Sequence, residues 1–198
     1  MEAFESFVAV ALETEGYVVS SSVKFPVARQ MAKAAYAEVQ THGYEVDLVA
    51  ARGDHLVLAT VKSFFGSQGV KADHVTGQTV NARWRKAYAL LNDAEIRNGV
   101  IAGACERYGY SENDVELRLY VGRFAAPKSG THERAIRAWC ADQVVGAGPI
   151  QVVGAASVVE KVTAAAAAKQ YRDNPVLVTM KVLEAAGALT LDLPDPEA

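Results

Sequence analysis

Cysteine is nearly missing from this chain: there are two, Cys105 and Cys140, far apart and outside any Cys/His cluster. That excludes a disulfide framework and a structural zinc site, and predicts two buried free thiols in a reducing compartment. The 6 prolines and 15 glycines are scattered without a period, which excludes collagen-like and mucin-like chains. No apolar run approaches the ~20 residues that a membrane span requires. The start is acidic from Glu2 onward and lacks the basic flank and apolar core of a signal segment. A cytoplasmic protein with no membrane partner is expected. An excess of one charge is missing too, since 20 Lys+Arg stand against 23 Asp+Glu, a net charge of -3. A protein that holds nucleic acid only by its phosphates carries a basic excess. Any nucleic-acid role must therefore come from a local basic surface or a metal site.

What is present is apolar residue: 51% of 198 positions, with 22% charged and well mixed, enough for one globular domain and too apolar for a disordered chain. Phe4, Phe7, Val8, Ala11 and Leu12 recur at helical spacing over 2–14, with Gly16 as a stop. Alternation predicts a strand over 17–25, ended by Pro26, and a second helical stripe over 27–40 from Met31, Ala34, Ala35 and Val39. Strands over 44–51 and 55–63 flank Arg52-Gly53-Asp54, the clearest hairpin pattern in the chain. Beyond it a helix is expected over 74–92, strands over 98–105 and 115–124, a helix over 131–144, a short strand over 149–153, and helices over 157–171 and 176–186. This order predicts an α/β fold, a mixed central sheet flanked by helices. The expected division is a domain over 1–156, a helical C-terminal extension over 157–191 on the same domain, and a frayed tail over 192–198.

Chemistry concentrates on the hairpin. Asp47 begins one strand and Lys62 ends the other, so the two lie near the same end. Alternation places Glu45 and Asp47 on one face, with Val46 and Leu48 opposite, and Thr60 and Lys62 on a face opposite Val61. A carboxylate and a lysine on facing strands can meet around one metal ion, the acid as an oxygen ligand for Mg²⁺ and the amine steering a water or a phosphate. The bland alternative is an exposed cross-strand ion pair, worth a fraction of a kcal/mol. The nearly continuous apolar strands around the pair weigh against it, because a charge embedded in such a strand needs a reason.

On these residues the sequence resembles the PD-(D/E)xK nuclease superfamily, which includes many restriction endonucleases and Holliday-junction resolvases. The resemblance covers about the first half: Phe4-Glu5, the Glu-Gly-Tyr-Val run at 15–18, Tyr44-Glu45-Val46-Asp47-Leu48-Val49-Ala50, and Leu58-Ala59-Thr60-Val61-Lys62-Ser63. It implies a restriction-endonuclease-like fold and metal-dependent hydrolysis of DNA, with Mg²⁺ or Mn²⁺ as cofactor. Glu5, Asp47 and Lys62 match the family's site, and the Val61 carbonyl would join Asp47 on the metal. Thr60 stands where the family has its second acid. The acid has then migrated, with Glu45 the first choice over Asp54 and Glu5, or the site is degenerate, or the chain is an inactive variant. The second reading of the chain is accordingly a degenerate nuclease-fold protein that acts as a DNA-binding or assembly module.

The helix expected after the hairpin carries Gln78, Arg83, Arg85 and Lys86, which the resemblance places near the scissile strand. A solvated helix face explains the cations about as well. Ser63, Gly66, Ser67 and Gly69 form a loop after the lysine strand that could reach DNA through backbone amides or serve only as a connector. The last helix, with one Lys and one Glu, packs on the sheet or on a partner chain, which leaves a homodimer open.

Overall fold

The computed structural model describes residues 2–30, 39–126, 130–168 and 172–191. The first helix, α1 (Ala3–Thr14), buries Phe4, Val8, Ala9, Val10, Ala11 and Leu12, and the chain turns out of it at Gly16, whose φ of 86° lies in the left-handed region. Strands β1 (Val18–Gln30), β2 (Val39–Arg52) and β3 (His55–Lys62) follow as an antiparallel meander. The β2–β3 turn is the two-residue Gly53-Asp54 link between the paired Arg52 and His55.

From β3 the chain crosses through α2 (Ala72–Val75), α3 (Ala82–Ala87), α4 (Ala89–Asn92) and α5 (Ala94–Tyr108) to β4 (Val115–Val121), which pairs parallel to β3. Helix α6 (Thr131–Ala141) follows. A two-stranded ribbon, β5 (Val144–Val145) with β6 (Gly148–Pro149), then leads to β7 (Gln151–Gly154), parallel to β4. The main sheet runs β1-β2-β3-β4-β7. Helices α7 (Ala155–Ala167) and α8 (Pro175–Ala185) close the described chain.

Each face of this mixed sheet has its own core. Leu48, Ala50, Val57, Ala59 and Val61 pack with α1, α7 and α8. Val49, Leu56, Leu58, Leu117 and Leu119 pack with residues of the crossover helices and α6. The expected α/β architecture is therefore present, with the C-terminal helices sharing the core of α1. No helix among the described residues is long and apolar enough to cross a membrane.

Four expectations are corrected. Residues 98–105 are helix, inside α5, which buries Ile96, Val100, Ile101 and Ala104 and is capped by Asp93 accepting from the Ile96 amide at 3.2 Å. The parallel pairing of β3 with β4 needs a crossover, and this helix is its main span. Pro26 does not end β1: the strand continues to Gln30, because β1 is the sheet edge and a missing N–H is tolerated there. The stripe over 27–40 is strand at both ends, at 27–30 and 39–40, while 31–38 lie outside the described residues. Finally, the helix expected over 74–92 is three short ones. The chain breaks at Gly77, where φ is 76°, and Asn92 donates from Nδ2 to the carbonyls of His74 and Arg85.

At the β3 start of the sheet an ion network ties the layers together. Arg118 of β4 donates to Glu15 and Glu116, each at 2.8 Å, Glu116 meets His55 at 2.9 Å, and Lys161 of α7 pairs with Glu15. Burial acts to raise the carboxyl pKa of Glu15, but hydrogen bonds from Arg118 and Lys161 outweigh it and hold the group below its ordinary 4.5. Glu116 is held down in the same way, by Arg118 and His55 against its own burial. Depressed folded-state values mean that this stability is complete above pH 4.5 and is lost as pH falls through the lower folded values. Arg118→Met, which strips two largely buried carboxylates of their main partner, should cost about 3 kcal/mol in urea denaturation at neutral pH. The gap from wild type should narrow in acid.

Candidate functional site

Asp47 sits where the regular sheet comes apart. The β2–β3 ladder ends at Leu48 and Ala59, and the β1–β2 register runs on either side of Ser22 and Asp47 but omits that pair. Ser22 has a φ of 53°, uncommon for a residue with a side chain. The strands also rotate here: Leu48 belongs to the α1-side core and Val46 to the opposite one. Strict alternation, which put Val46 and Leu48 together, fails at this residue.

The Asp47 carboxylate takes over where the ladder stops. Its Oδ2 accepts from the Val61 amide at 2.6 Å, from Thr60 Oγ1 at 3.0 Å and from Lys62 Nζ at 3.5 Å. On the other edge of β3, the Gly122 amide donates to the Lys62 carbonyl at 2.9 Å, so Lys62 turns its carbonyl toward β4. Backbone groups of neighbouring residues in a strand point to opposite sides, which directs the Val61 carbonyl into the gap beside Asp47. Asp47, Thr60, Val61 and Lys62 are thus brought together. Thr60 is only 6% exposed.

Two clefts meet at this point. One, of about 460 Å³, lies between the Tyr44–Asp47 stretch of β2, Thr60, Lys62 and Lys86 of α3. The other, of about 660 Å³, is lined by Glu2, Glu5, Asp47, Lys62, Ser63, Phe65 and Ser67. Asp47 and Lys62 line both. The Lys62 ammonium also lies 5.8 Å from the centre of the Tyr88 ring, whose buried hydroxyl has no hydrogen-bond partner among the described residues. Burial raises the pKa of that phenol, so it stays neutral.

The other predicted residues divide. Glu5 faces the second cleft, but its carboxylate accepts from the Glu2 amide at 2.9 Å and so also starts α1. Glu45 lines the first cleft while pairing with Lys24 at 3.6 Å. Lys86 reaches the first cleft, and with Arg85 lines a neighbouring one. Arg83 lies over the Trp84 ring at 5.9 Å. Gln78 is exposed in the link between α2 and α3 rather than on a helix, which corrects its expected setting.

Sequence reasoning missed Glu2, Phe65 and Tyr88. Glu2 accepts from Ser63 Oγ at 3.0 Å, tying the start of α1 to the loop after β3. The pairing of Glu2 with Glu5, three positions on, was the available signal, since it is the spacing of a capping box. Phe65 and Tyr88 carried no pattern that separates them from core aromatics.

Among the described residues no group of three or more His, Cys, Asp or Glu side chains gathers to hold a metal. The donors at the gap are a carboxylate, a hydroxyl and a backbone carbonyl, with Glu2 and Glu5 across the cleft. All are hard oxygens, which suits Mg²⁺ or Mn²⁺ and not zinc. Mg²⁺ commonly keeps several waters and uses one or two carboxylates together with substrate phosphates, so one firm acid is a compatible, lean set.

No protein-family model, curated protein or solved structure matches the chain.

Proposed function

We propose that the chain is a metal-dependent deoxyribonuclease of the restriction-endonuclease-like kind. The observation that carries this reading is the convergence of Thr60, Val61 and Lys62 on the Asp47 carboxylate, at an opening between two clefts. The element order supports it as well: a helix, an antiparallel meander, then a crossover to a parallel strand beside the lysine strand.

Each residue then has a task. Lys62, pinned between Asp47 and the Tyr88 ring, offers positive charge to a phosphate oxygen or to the attacking water. Asp47 is fixed in one rotamer by three donors and presents its carboxylate to the cleft. Thr60 orients a water where the resembling enzymes have an acid, and Glu5 assists from across the second cleft. A divalent ion bound by Asp47 and the Val61 carbonyl would supply Lewis-acid stabilisation of the phosphoryl oxygens. Lys86, with Arg85 and Arg83 outside it, gives DNA a basic approach.

Purified protein given Mg²⁺ or Mn²⁺ should cleave plasmid, single-stranded or branched DNA, and a chelator should stop it. If all three substrates stay intact, the enzyme reading is wrong. One observation favours a second reading, a nuclease-fold module that binds DNA or a partner without cutting: Thr60 donates a hydrogen bond to Asp47 and adds no charge for a metal. DNA binding without cleavage is the result that would select it.

A further inference from the structure

Beside Lys62, the fold holds an aromatic ring in the open. Phe65 is 54% exposed, although Phe4, 5.3 Å away and edge-on, is buried. Its placement is enforced by the backbone. Phe64 has a φ of 46°, a left-handed conformation costly for a bulky residue. Gly122 backs this turn closely, since a Cβ there would stand 2.4 Å from the Ser63 carbonyl oxygen and 2.8 Å from Phe65 Cζ. The ring is therefore held in the second cleft, beside Lys62, Ser63 and Asp47, with its surface available to a ligand.

We infer that Phe65 is a stacking platform for an unpaired nucleobase, whose phosphate lies toward Lys62 and Ser63. This rests on the nuclease reading and names the form of DNA that the site takes. Two physical facts favour it. In a duplex the faces of the bases are covered by their neighbours, so an aromatic side chain meets a base face only where the nucleotide is single-stranded or splayed. A chain with net charge -3 also has no overall basic excess to hold a strand, and stacking adds affinity that needs none. The predicted substrate is therefore a single strand, a flap or a frayed end, in preference to an uninterrupted duplex.

The test is binding of a labelled single-stranded oligonucleotide and of its duplex, with Ca²⁺ in place of Mg²⁺ to suppress cleavage. Phe65→Leu should weaken single-strand binding by about 5- to 100-fold and leave duplex binding within about twofold, while Phe65→Trp should bind the single strand at least as tightly as wild type. A 2-aminopurine in the strand should be quenched by wild type and by Phe65→Trp, and not by Phe65→Leu. Unchanged single-strand affinity in Phe65→Leu, or equal loss on both substrates, overturns the inference. Should Leu disturb the Phe4 contact, a Phe65→Trp protein that folds normally and binds the single strand poorly overturns it equally. If the wild type still cleaves DNA under Mg²⁺ in those cases, only the platform is lost. If it neither binds nor cleaves any DNA, both readings fall together.

Discussion

Lys62→Ala should lower the single-turnover rate of the proposed metal-dependent DNA cleavage by about 10²–10³-fold, the scale of losing one preorganised charge or donor at a reacting phosphate. The position of the ammonium explains the size. Lys62 is largely buried, 3.5 Å from Asp47 Oδ2 and over the Tyr88 ring, so its charge is held in place and only partly screened by solvent. The substitution removes a group at the end of a strand whose inner residues keep their packing, and Asp47 retains the Val61 amide and the Thr60 hydroxyl. Thermal stability should therefore change little while the rate collapses. Lys62→Arg should rescue poorly, because the longer, planar guanidinium spreads its charge over a rigid fork and cannot set a compact point charge where the ammonium sits. A Lys62→Ala protein with wild-type cleavage would remove the residue from the mechanism.

Thr60→Glu should behave in opposite ways with and without metal. The hydroxyl now sits 3.0 Å from Asp47 Oδ2 in a buried position. A carboxylate there faces Asp47 across a few ångströms, and two like charges in such a site repel or force one to take up a proton. Without metal, the variant should melt below wild type. A divalent ion that binds only the folded pair then stabilises by mass action, so Mn²⁺ should raise its melting temperature by more than it raises that of wild type. Cleavage should rise by about tenfold or more, because the second acid strengthens the ion's hold and its Lewis-acid effect. Calorimetric melts with and without Mn²⁺, beside cleavage rates, check both halves. A Thr60→Glu protein that Mn²⁺ does not stabilise would mean that no metal binds at this gap.

The hairpin was legible in the sequence because two long apolar strands flanked a short Gly-Asp turn, a signal local enough to survive any tertiary context. Asp47 and Lys62 stood out for the same reason, as charges in runs that otherwise bury themselves. The α5 segment misled because Val100, Ile101 and their small neighbours form a short apolar run, which periodicity cannot assign to strand or helix. Pro26 misled because nothing local tells an edge strand from a central one. Within the site, the rotation of β2 at Asp47 was beyond sequence reasoning. Alternation assumes a regular strand, and here the carboxylate itself replaces the missing ladder partner. The exposure of Phe65 was hidden as well, since it depends on Gly122, which lies far along the chain on the neighbouring strand's end.

The proposed activity of the gap around Asp47 is hydrolysis of phosphodiester bonds. Its most direct test is product formation from labelled plasmid, single-stranded and branched DNA under Mg²⁺ or Mn²⁺, with wild type and Asp47→Asn purified side by side. Asn keeps the shape and can still accept from the Val61 amide, but lacks the charge. Wild type should cleave at least one of them in a reaction that a chelator abolishes, and Asp47→Asn should not. Equal products from both proteins, or intact DNA with both, would contradict it.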